Sequence, residues 1–401
     1  MTYLSRLFLN NLMAFYVLWG ILNMFGFKSY EGGMLKITSA LCLLYASSIE
    51  LKKIDILIII YILYCLFSYG WGDVTWEIYY DGIVTQLMPI SLYFLMRIRY
   101  FSNCTFLDDM KWPLLFAFVC ALFLYFIQPS WYLDFKMRGW SYEYTDTMFY
   151  ERTRLSGFWP WPYFIGTASL FYIMYELKKI VDGRLVGLSL FLSRLSVVVA
   201  VVVLFFAQLR VAIAYLFVYF FFLFLYMSYK KKISFKSFGR IPLLICVFVV
   251  LILFILRYVD SELISYMMGR SVNAESNIVA DRFAIFSKYI NTITVFGEGL
   301  GSYSHFARTF GKHYVGDCEY IRIPNEIGVV GFALLLIILF LILCYGVRNY
   351  KSCFFEVCVV LYLFASMIGA APLEHLPLHP YFYWFCMGRI VTKYYNHNVL
   401  F

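Results

Sequence analysis

The stretch of the sequence with the most evident chemistry is GDCEYIRIPNEIGVVGF, residues 316–332. It places Asp317, Glu319 and Arg322 directly before a long apolar segment. A carboxylate in this place suits general-base work, because it can accept the proton of an attacking hydroxyl group. The same carboxylate suits an ion pair with Arg322 equally well. The residue types alone leave both interpretations open.

Four arginines lie beside apolar segments, and they are Arg154, Arg210, Arg282 and Arg322. A guanidinium is always charged and offers a planar fork of donors that suits phosphate oxygens. Arg210 is the sharpest case, since it separates two apolar runs in AQLRVAIAYLF, where desolvating a charge is costly. The alternative is that these side chains reach from helix ends to the membrane interface. The residue types alone leave both interpretations open for the four arginines.

Glycines alternate in the stretch GEGLGSYSHF, at Gly297, Gly299 and Gly301. This spacing permits either an ordinary tight turn or a close approach of the backbone to a ligand. His305 and His313 follow, and each suits a general base or a metal ligand. Two histidines without a third ligand make a poor metal site, so no bound metal is expected.

The composition indicates which elements must position these residues. Of the 401 residues, 63% are hydrophobic, 22% are aromatic and only 14% are charged, against about a quarter charged in an average soluble domain. Apolar runs of roughly 17 to 25 residues recur along the chain, and each is long enough to cross a bilayer. The sequence therefore predicts an all-α polytopic membrane protein, with residues 1–401 forming a single integral-membrane domain.

We predict about twelve membrane spans. Their approximate bounds are 7–26, 34–49, 54–70, 82–96, 112–128, 160–176, 190–207, 211–228, 241–257, 324–345, 353–371 and 380–392. Basic residues in short loops mark the cytoplasmic side, and here they fall on the side that holds both termini. These basic anchors account for the net charge of +9, so no nucleic-acid partner is expected.

Two predicted outer loops, 129–159 and 258–323, are much longer than the others. Loops of this length between spans are usually functional or disordered. The first is rich in aromatic residues, which argues against disorder. Its aromatic rings suit either sugar binding or an aromatic belt at the membrane interface. The second loop holds most of the candidate residues.

The order of these motifs resembles the O-antigen polymerase and ligase family of bacterial inner-membrane proteins. That family carries an R-x-x-G motif, matched here by Arg154 and Gly157, and an arginine in a tight outer hairpin, matched by Arg210 in QLRVAIA. The large loop matches as DRFAIF, FGEGLGSY and DCEYIRIPNEIGVVGF, the last with Glu326, Gly328 and Gly331 in the family's positions. The similarity covers roughly residues 150 to 335 and lies in the order and topology of short motifs.

The resemblance implies a membrane glycosyltransferase with an architecture similar to the GT-C class and its active site on the periplasmic side. The implied donor is a glycan linked to undecaprenyl pyrophosphate, which is transferred with inversion onto a second lipid-linked repeat unit, without a metal or other cofactor. Two arginines hold the pyrophosphate in that family. The pyrophosphate- and substrate-binding residues expected here are Arg154, Arg210, Arg282, Arg322, Gly299 and Tyr320. Membrane lipids and a chain-length regulator are the other partners that the family implies.

A departure from the family pattern favours polymerase over ligase. Ligases are similar in having a histidine just before the N-x-y-l segment, where this chain has Asp317, Cys318, Glu319 and Tyr320. The expected base is therefore Glu319 or Asp317, with His313 as the alternative. A ligase that transfers polymer to lipid A-core remains the first alternative function. A flippase for the same lipid-linked sugars is the second, although few ionisable residues fall within the predicted spans.

Overall fold

A computed structural model of the protein describes residues 2–25, 31–98, 101, 105–132, 135, 154–159, 162–229, 286–315, 318–373 and 378–398. Over these ranges the regular secondary structure is helical and no strand occurs, so the all-α prediction is confirmed. Within the described ranges, five helical segments are long and apolar enough to cross a membrane, namely Lys53–Gly70, Phe106–Ile127, Gly187–Ala207, Arg210–Ser228 and Glu319–Arg348. The twelve spans, their sidedness and the similarity to the GT-C class stay predictions.

The α-helices are labelled here in chain order. They are α1 Thr2–Asn10, α2 Leu12–Met24, α3 Glu31–Leu44, α4 Lys53–Phe67, α5 Trp76–Gly82, α6 Ile90–Arg97, α7 Phe106–Asp109, α8 Lys111–Ile127, α9 Pro162–Asp182, α10 Gly187–Ala207, α11 Arg210–Tyr229, α12 His305–Arg308, α13 Glu319–Arg348, α14 Tyr350–Ser366 and α15 Leu378–Asn398.

The chain divides into two compact units. Unit 1 comprises Met1–Asn10, Lys28–Phe106 and Ala284–Phe401. Its core is built where α13 packs against α4, α14 and α15, and where α15 packs against α6. Large aromatic side chains such as Tyr93, Tyr362 and Tyr383 are fully buried there.

Unit 2 comprises Asn11–Phe27 and Leu107–Phe283. Its centre is α9, which packs against α8, α10 and α11, while α2 packs against α8. Helices α10 and α11 are joined by only two residues, Gln208 and Leu209. The C-terminal carbonyls of α10 are therefore brought close to the first residue of α11.

Some predicted spans differ in form from single straight helices. The predicted span 82–96 consists of the end of α5, a π-helical turn over Ile83–Leu87, and α6. Pro89 precedes α6, and its missing amide hydrogen explains why regular α-helical bonding is interrupted there. The predicted span 324–345 begins five residues earlier, at Glu319, where an acidic residue is favourable at a helix N-terminus. The predicted span 241–257 lies outside the described residues.

Candidate functional site

Helix α13 is interrupted at Gly328, in the motif that the sequence analysis singled out. Gly328 has φ of 72° and ψ of 174°, which is far from helical geometry and is favoured only by glycine. The interruption leaves carbonyls before the glycine and amides after it without their usual helical partners. In an apolar helix each such group is costly unless another segment binds it.

The glycine-rich segment 294–301 supplies most of those partners. The amides of Glu298 and Gly299 donate to the carbonyls of α13 just before the break, at 2.9 and 2.8 Å. In the opposite direction, two amides after the break donate to carbonyls of this segment, in the bonds Val329 N to Thr294 O and Val330 N to Val295 O. The glycine segment thus completes the broken helix in the manner of an added turn.

Helix α4 supports the same junction from its C-terminal end. The Tyr64 hydroxyl donates to the carbonyl of Ile327 at 3.0 Å. The hydroxyl of Ser68 accepts from the amide of Leu300 at 3.1 Å. Segment 294–301 is therefore bound to two long apolar helices of unit 1, α4 and α13.

The glycine spacing permits close backbone packing in this junction. A Cβ at Gly297, where φ is 77°, would overlap the carbonyl oxygen of Glu326. Gly299 packs against Gly72 and Val74, and its amide already binds α13. The alternating glycines were expected to form either a tight turn or a close contact with a ligand. In the structure they form tight turns, and the groups packed closely against them belong to the protein. The predicted contact of Gly299 with substrate stays a prediction.

The part of α13 before Gly328 carries three buried charged residues, Glu319, Arg322 and Glu326, which we call the charge cluster. All three side chains are fully buried. Two guanidinium nitrogens of Arg322 bind the two carboxylates, at 2.5 Å to Glu319 and 2.8 Å to Glu326. The spacing of three and four residues places them on one face of α13. The ion-pair interpretation of Glu319 is therefore the one that the structure has.

The charge cluster also binds three other segments of unit 1. The Gln86 amide donates to Glu326 at 2.7 Å, and the backbone amide of Tyr303 donates to the same carboxylate at 3.3 Å. On the other side, the amide of Leu373 donates to Glu319 at 3.0 Å. The cluster therefore links α13 to the π-helical turn, to the loop that directly follows the glycine segment and to the turn after α14.

The remaining predicted residues of the large loop lie in different surroundings. Tyr320 is half-buried, and its hydroxyl donates to the carbonyl of Phe364 at 3.1 Å. His313 is exposed, and its ring lies 5.8 Å from the Tyr289 ring. Asp317 and Arg282 lie outside the described residues. Of the three candidate bases, the structure thus describes one that is buried and ion-paired, Glu319, and one that is exposed, His313.

Tyr303 is a buried side chain of the same loop that the sequence analysis did not single out. Its ring stacks on His313 with centroids 6.4 Å apart, and its hydroxyl donates to Glu298 at 2.9 Å. Burial, followed by the hydrogen bond to Glu298, raises the pKa of Tyr303 above its usual value of 10. Tyr303 is therefore a neutral donor that fixes the glycine segment.

A cavity of about 400 Å³ opens beside the glycine segment in unit 1. Its lining residues are Lys36, Trp76, Glu77, Tyr80, Asp81, Val84 and Phe306. Five of the seven lie on α5 and its π-helical continuation, at the spacing of successive helical turns. The C-terminal end of α5 is held close to the glycine segment, because a Cβ at Gly82 would lie 3.0 Å from the amide of Gly301. This cavity was not predicted from the sequence, although the aromatic pair Trp76 and Tyr80 and the acidic pair Glu77 and Asp81, each four residues apart, were a usable signal.

In unit 2, the structure brings the segments of Arg154 and Arg210 together. The amide of Leu155, next to Arg154, donates to the carbonyl of Phe206 in the last turn of α10, at 3.1 Å. Arg210, the first residue of α11, follows four positions later and is exposed, while Arg154 is half-buried. Gly157 of the R-x-x-G motif has φ of 63° and leaves no room for a Cβ against Ala121. Two arginines far apart in sequence therefore lie at the same end of the helices of unit 2.

Buried ion pairs also occur at the ends of the helices that lie away from these motifs. In unit 1, Asp55 at the start of α4 binds Arg97 at 3.0 Å, and Glu356 binds Arg389 at 3.0 Å. In unit 2, Glu176 near the end of α9 binds Lys111 at 3.5 Å. Few ionisable residues were predicted within the spans. The buried carboxylates Asp55, Glu356 and Glu176 form ion pairs that join neighbouring helices.

In the residues that the structure describes, no group of histidine, cysteine and acidic side chains is arranged to hold a metal ion. A scan against models of known protein families finds no match to this chain, and a search of curated proteins finds none either.

Proposed function

We propose that this protein is a membrane glycosyltransferase that polymerises lipid-linked oligosaccharide repeat units on the outer face of a bacterial inner membrane. The observation that carries the proposal is the convergence of Arg154 and Arg210 at one end of the unit 2 helices. A pyrophosphate attached to a lipid needs cations at a membrane surface and apolar helices beside them. These two arginines, next to α10 and α11, offer both.

The position of Arg210 strengthens the assignment to an anionic ligand. It is the first residue of α11, where the positive end of the helix dipole makes a cation unfavourable. The same position is favourable for an anion, because free backbone amides and the dipole both attract it. An arginine that is exposed at such a place suits the binding of phosphate oxygens better than it suits the stability of the helix.

In the proposed reaction, a hydroxyl of the acceptor glycan attacks the anomeric carbon of the donor. The bond from that carbon to the pyrophosphate oxygen breaks, the lipid pyrophosphate leaves with the bonding electrons, and the hydroxyl proton passes to a base. Arg154 and Arg210 stabilise the charge that develops on the leaving group, and fixed cations are effective in that task. Of the predicted bases, Glu319 is the least suited to this role, because both of its carboxylate oxygens are already bound by Arg322 and Leu373.

We further propose that the chain crosses the membrane about twelve times, with both termini in the cytoplasm. The charge bias of the short loops supports this topology. In unit 1, the cytoplasmic end would hold Arg97 and Lys393, and the periplasmic end would hold the glycine segment. Helix α4 agrees with this assignment, since its N-terminal end binds Arg97 and its C-terminal end binds the glycine segment.

The test is made in cells that lack the gene and carry a plasmid copy, with extracted lipopolysaccharide separated on a gel. We expect the deletion strain to make lipopolysaccharide core that carries a single repeat unit. Arg154→Ala or Arg210→Ala should restore about 100-fold less polymer ladder than the wild-type copy does, which is the usual effect of removing one electrostatic donor. Arg184→Ala is the matched control, because Arg184 is exposed at 59% and follows the other end of α9. It should restore a normal ladder.

Other outcomes would overturn the proposal. Full ladders from both arginine variants would remove its main support. Bare core with accumulated lipid-linked polymer in the deletion strain would indicate a ligase. Bare core with single repeats held on the cytoplasmic side would indicate a flippase.

A further inference from the structure

The cavity beside α5 combines two kinds of lining that do not suit the same simple ligand. Trp76 and Tyr80 are exposed at 56% and 40%, and Phe306 at 39%, so three aromatic side chains are accessible there. Glu77, Asp81 and Lys36 also line the cavity, and they bring two carboxyl groups and one ammonium group to it. The volume of about 400 Å³ lies within the range of small-molecule sites, roughly 300 to 1,000 Å³.

The charges of the lining disfavour several ligand classes. Two carboxylates against one ammonium disfavour a phosphate or another anion. Lys36 disfavours a cationic ligand, which the aromatic rings and carboxylates would otherwise suit. A lipid tail offers no hydrogen-bonding groups to the charged side chains that it would desolvate, which is costly.

An uncharged saccharide fits all of the lining residues. Its hydroxyls donate to the carboxylates and accept from Lys36, following the ordinary roles of these groups. Its apolar ring faces pack on the flat aromatic surfaces, which are rigid and amphipathic. We therefore propose that the cavity is a saccharide subsite, and that it holds a sugar ring of the acceptor glycan. The acceptor role, though not the sugar binding, rests on the function proposed above.

The surroundings of the cavity make it a fixed site. The π-helical turn that carries Val84 into the lining also carries Gln86 to the buried Glu326. On the opposite wall, Phe306 belongs to α12, which begins just after Tyr303, and the amide of Tyr303 binds the same carboxylate. One buried carboxylate thus holds both walls of the cavity, and α5 is positioned through it.

The test measures sugar binding directly, with the full-length protein in nanodiscs. The probe is the free oligosaccharide that mild acid releases from the lipid-linked sugars of the source cells, observed by saturation-transfer difference NMR. We expect Trp76→Ala and Asp81→Asn each to raise the Kd about tenfold, the effect of losing one stacking or hydrogen-bonding contact. Glu77→Gln provides a milder third variant, because its side chain is exposed.

Two matched controls lie outside the cavity lining. Trp112→Ala removes a tryptophan that is exposed at 61%, and Asp73→Asn removes a carboxylate, exposed at 96%, that pairs with Lys312. Both should bind the oligosaccharide as the wild type does. Unchanged binding in the cavity variants, or equal losses in the controls, would overturn the subsite, as would displacement of the sugar by inorganic pyrophosphate or choline.

The two proposals fail in different ways. If the cavity variants lose binding but polymerise normally in cells, the acceptor role is overturned while the polymerase remains. If the arginine variants polymerise normally, the donor assignment of unit 2 is overturned, and the binding result for the cavity is unaffected.

Discussion

Replacing Arg322 by methionine tests whether the charge cluster holds unit 1 together. The change removes the cation and keeps an unbranched side chain of similar length. It leaves Glu319 and Glu326 fully buried without their shared partner. Breaking a buried pair by removing one member costs about 3–5 kcal/mol, because an uncompensated charge remains in the interior. The neutral donors Gln86 and Leu373 remain, so we expect the lower part of this range.

A triple variant separates the effect of the unpaired charges from a simple loss of packing. In the triple variant Glu319→Gln, Arg322→Met, Glu326→Gln, the stranded charges are absent. We expect the triple variant to be more stable than Arg322→Met alone, since neutral replacements of a buried ion cluster are often tolerated. If only packing mattered, each added substitution would lower the stability further.

The assay is unfolding in mixed micelles with increasing SDS, followed by circular dichroism. Lys312→Ala is the control, because it breaks an ion pair in which the side chains are 36% and 96% exposed. That variant should lose no more than about 1 kcal/mol. A loss for Arg322→Met as small as that of the control, or a triple variant less stable than the single one, would refute this account of the cluster.

Two further predictions concern the glycine junction. Gly328→Ala should lower the free energy of unfolding at least twice as much as Gly311→Ala. Both glycines have a φ near 72°, for which the strain alone is about 1–2 kcal/mol, but only at Gly328 does the added Cβ overlap a backbone carbonyl, that of Val295. Equal losses in the same SDS titration would contradict the described interruption of α13. Tyr303→Phe should change the pH dependence of stability. Burial and Glu298 raise the Tyr303 pKa above 10, so the folded state holds the phenol proton more tightly than the unfolded state does. The stabilisation from the neutral phenol is therefore present below about pH 10 and is lost as the pH rises above it. The wild type should then lose stability relative to the variant as the pH rises above about 10, and parallel curves would show that Tyr303 is not held neutral by the fold.

The candidate site could be predicted from the sequence only where a residue's role is local. The spacing of Glu319, Arg322 and Glu326 on one helix makes their ion pairs predictable in principle, because residues three and four apart share a helix face. The choice between a free base and an ion pair was not predictable, since it depends on burial. In the structure Glu319 is fully buried, and that burial makes pairing the favourable state.

Other parts of the site depend on segments that are distant in the sequence. Gln86 binds Glu326 across 240 positions, and Leu155 binds Phe206 across the whole of α9 and α10. Neither contact has a local signal, because each exists only when separate helices pack together. The cavity has the same origin, since its lining combines α3, α5 and α12.

The sequence by itself determined that the chain is helical and rich in segments that suit a membrane. Apolar runs of sufficient length have one stable arrangement in a bilayer, because a helix satisfies its backbone hydrogen bonds within the segment. The tertiary structure decided where that rule is broken. Helix α13 is interrupted at Gly328. The backbone groups that lose their helical partners there bind the glycine segment 294–301, which only the packing of unit 1 brings within reach.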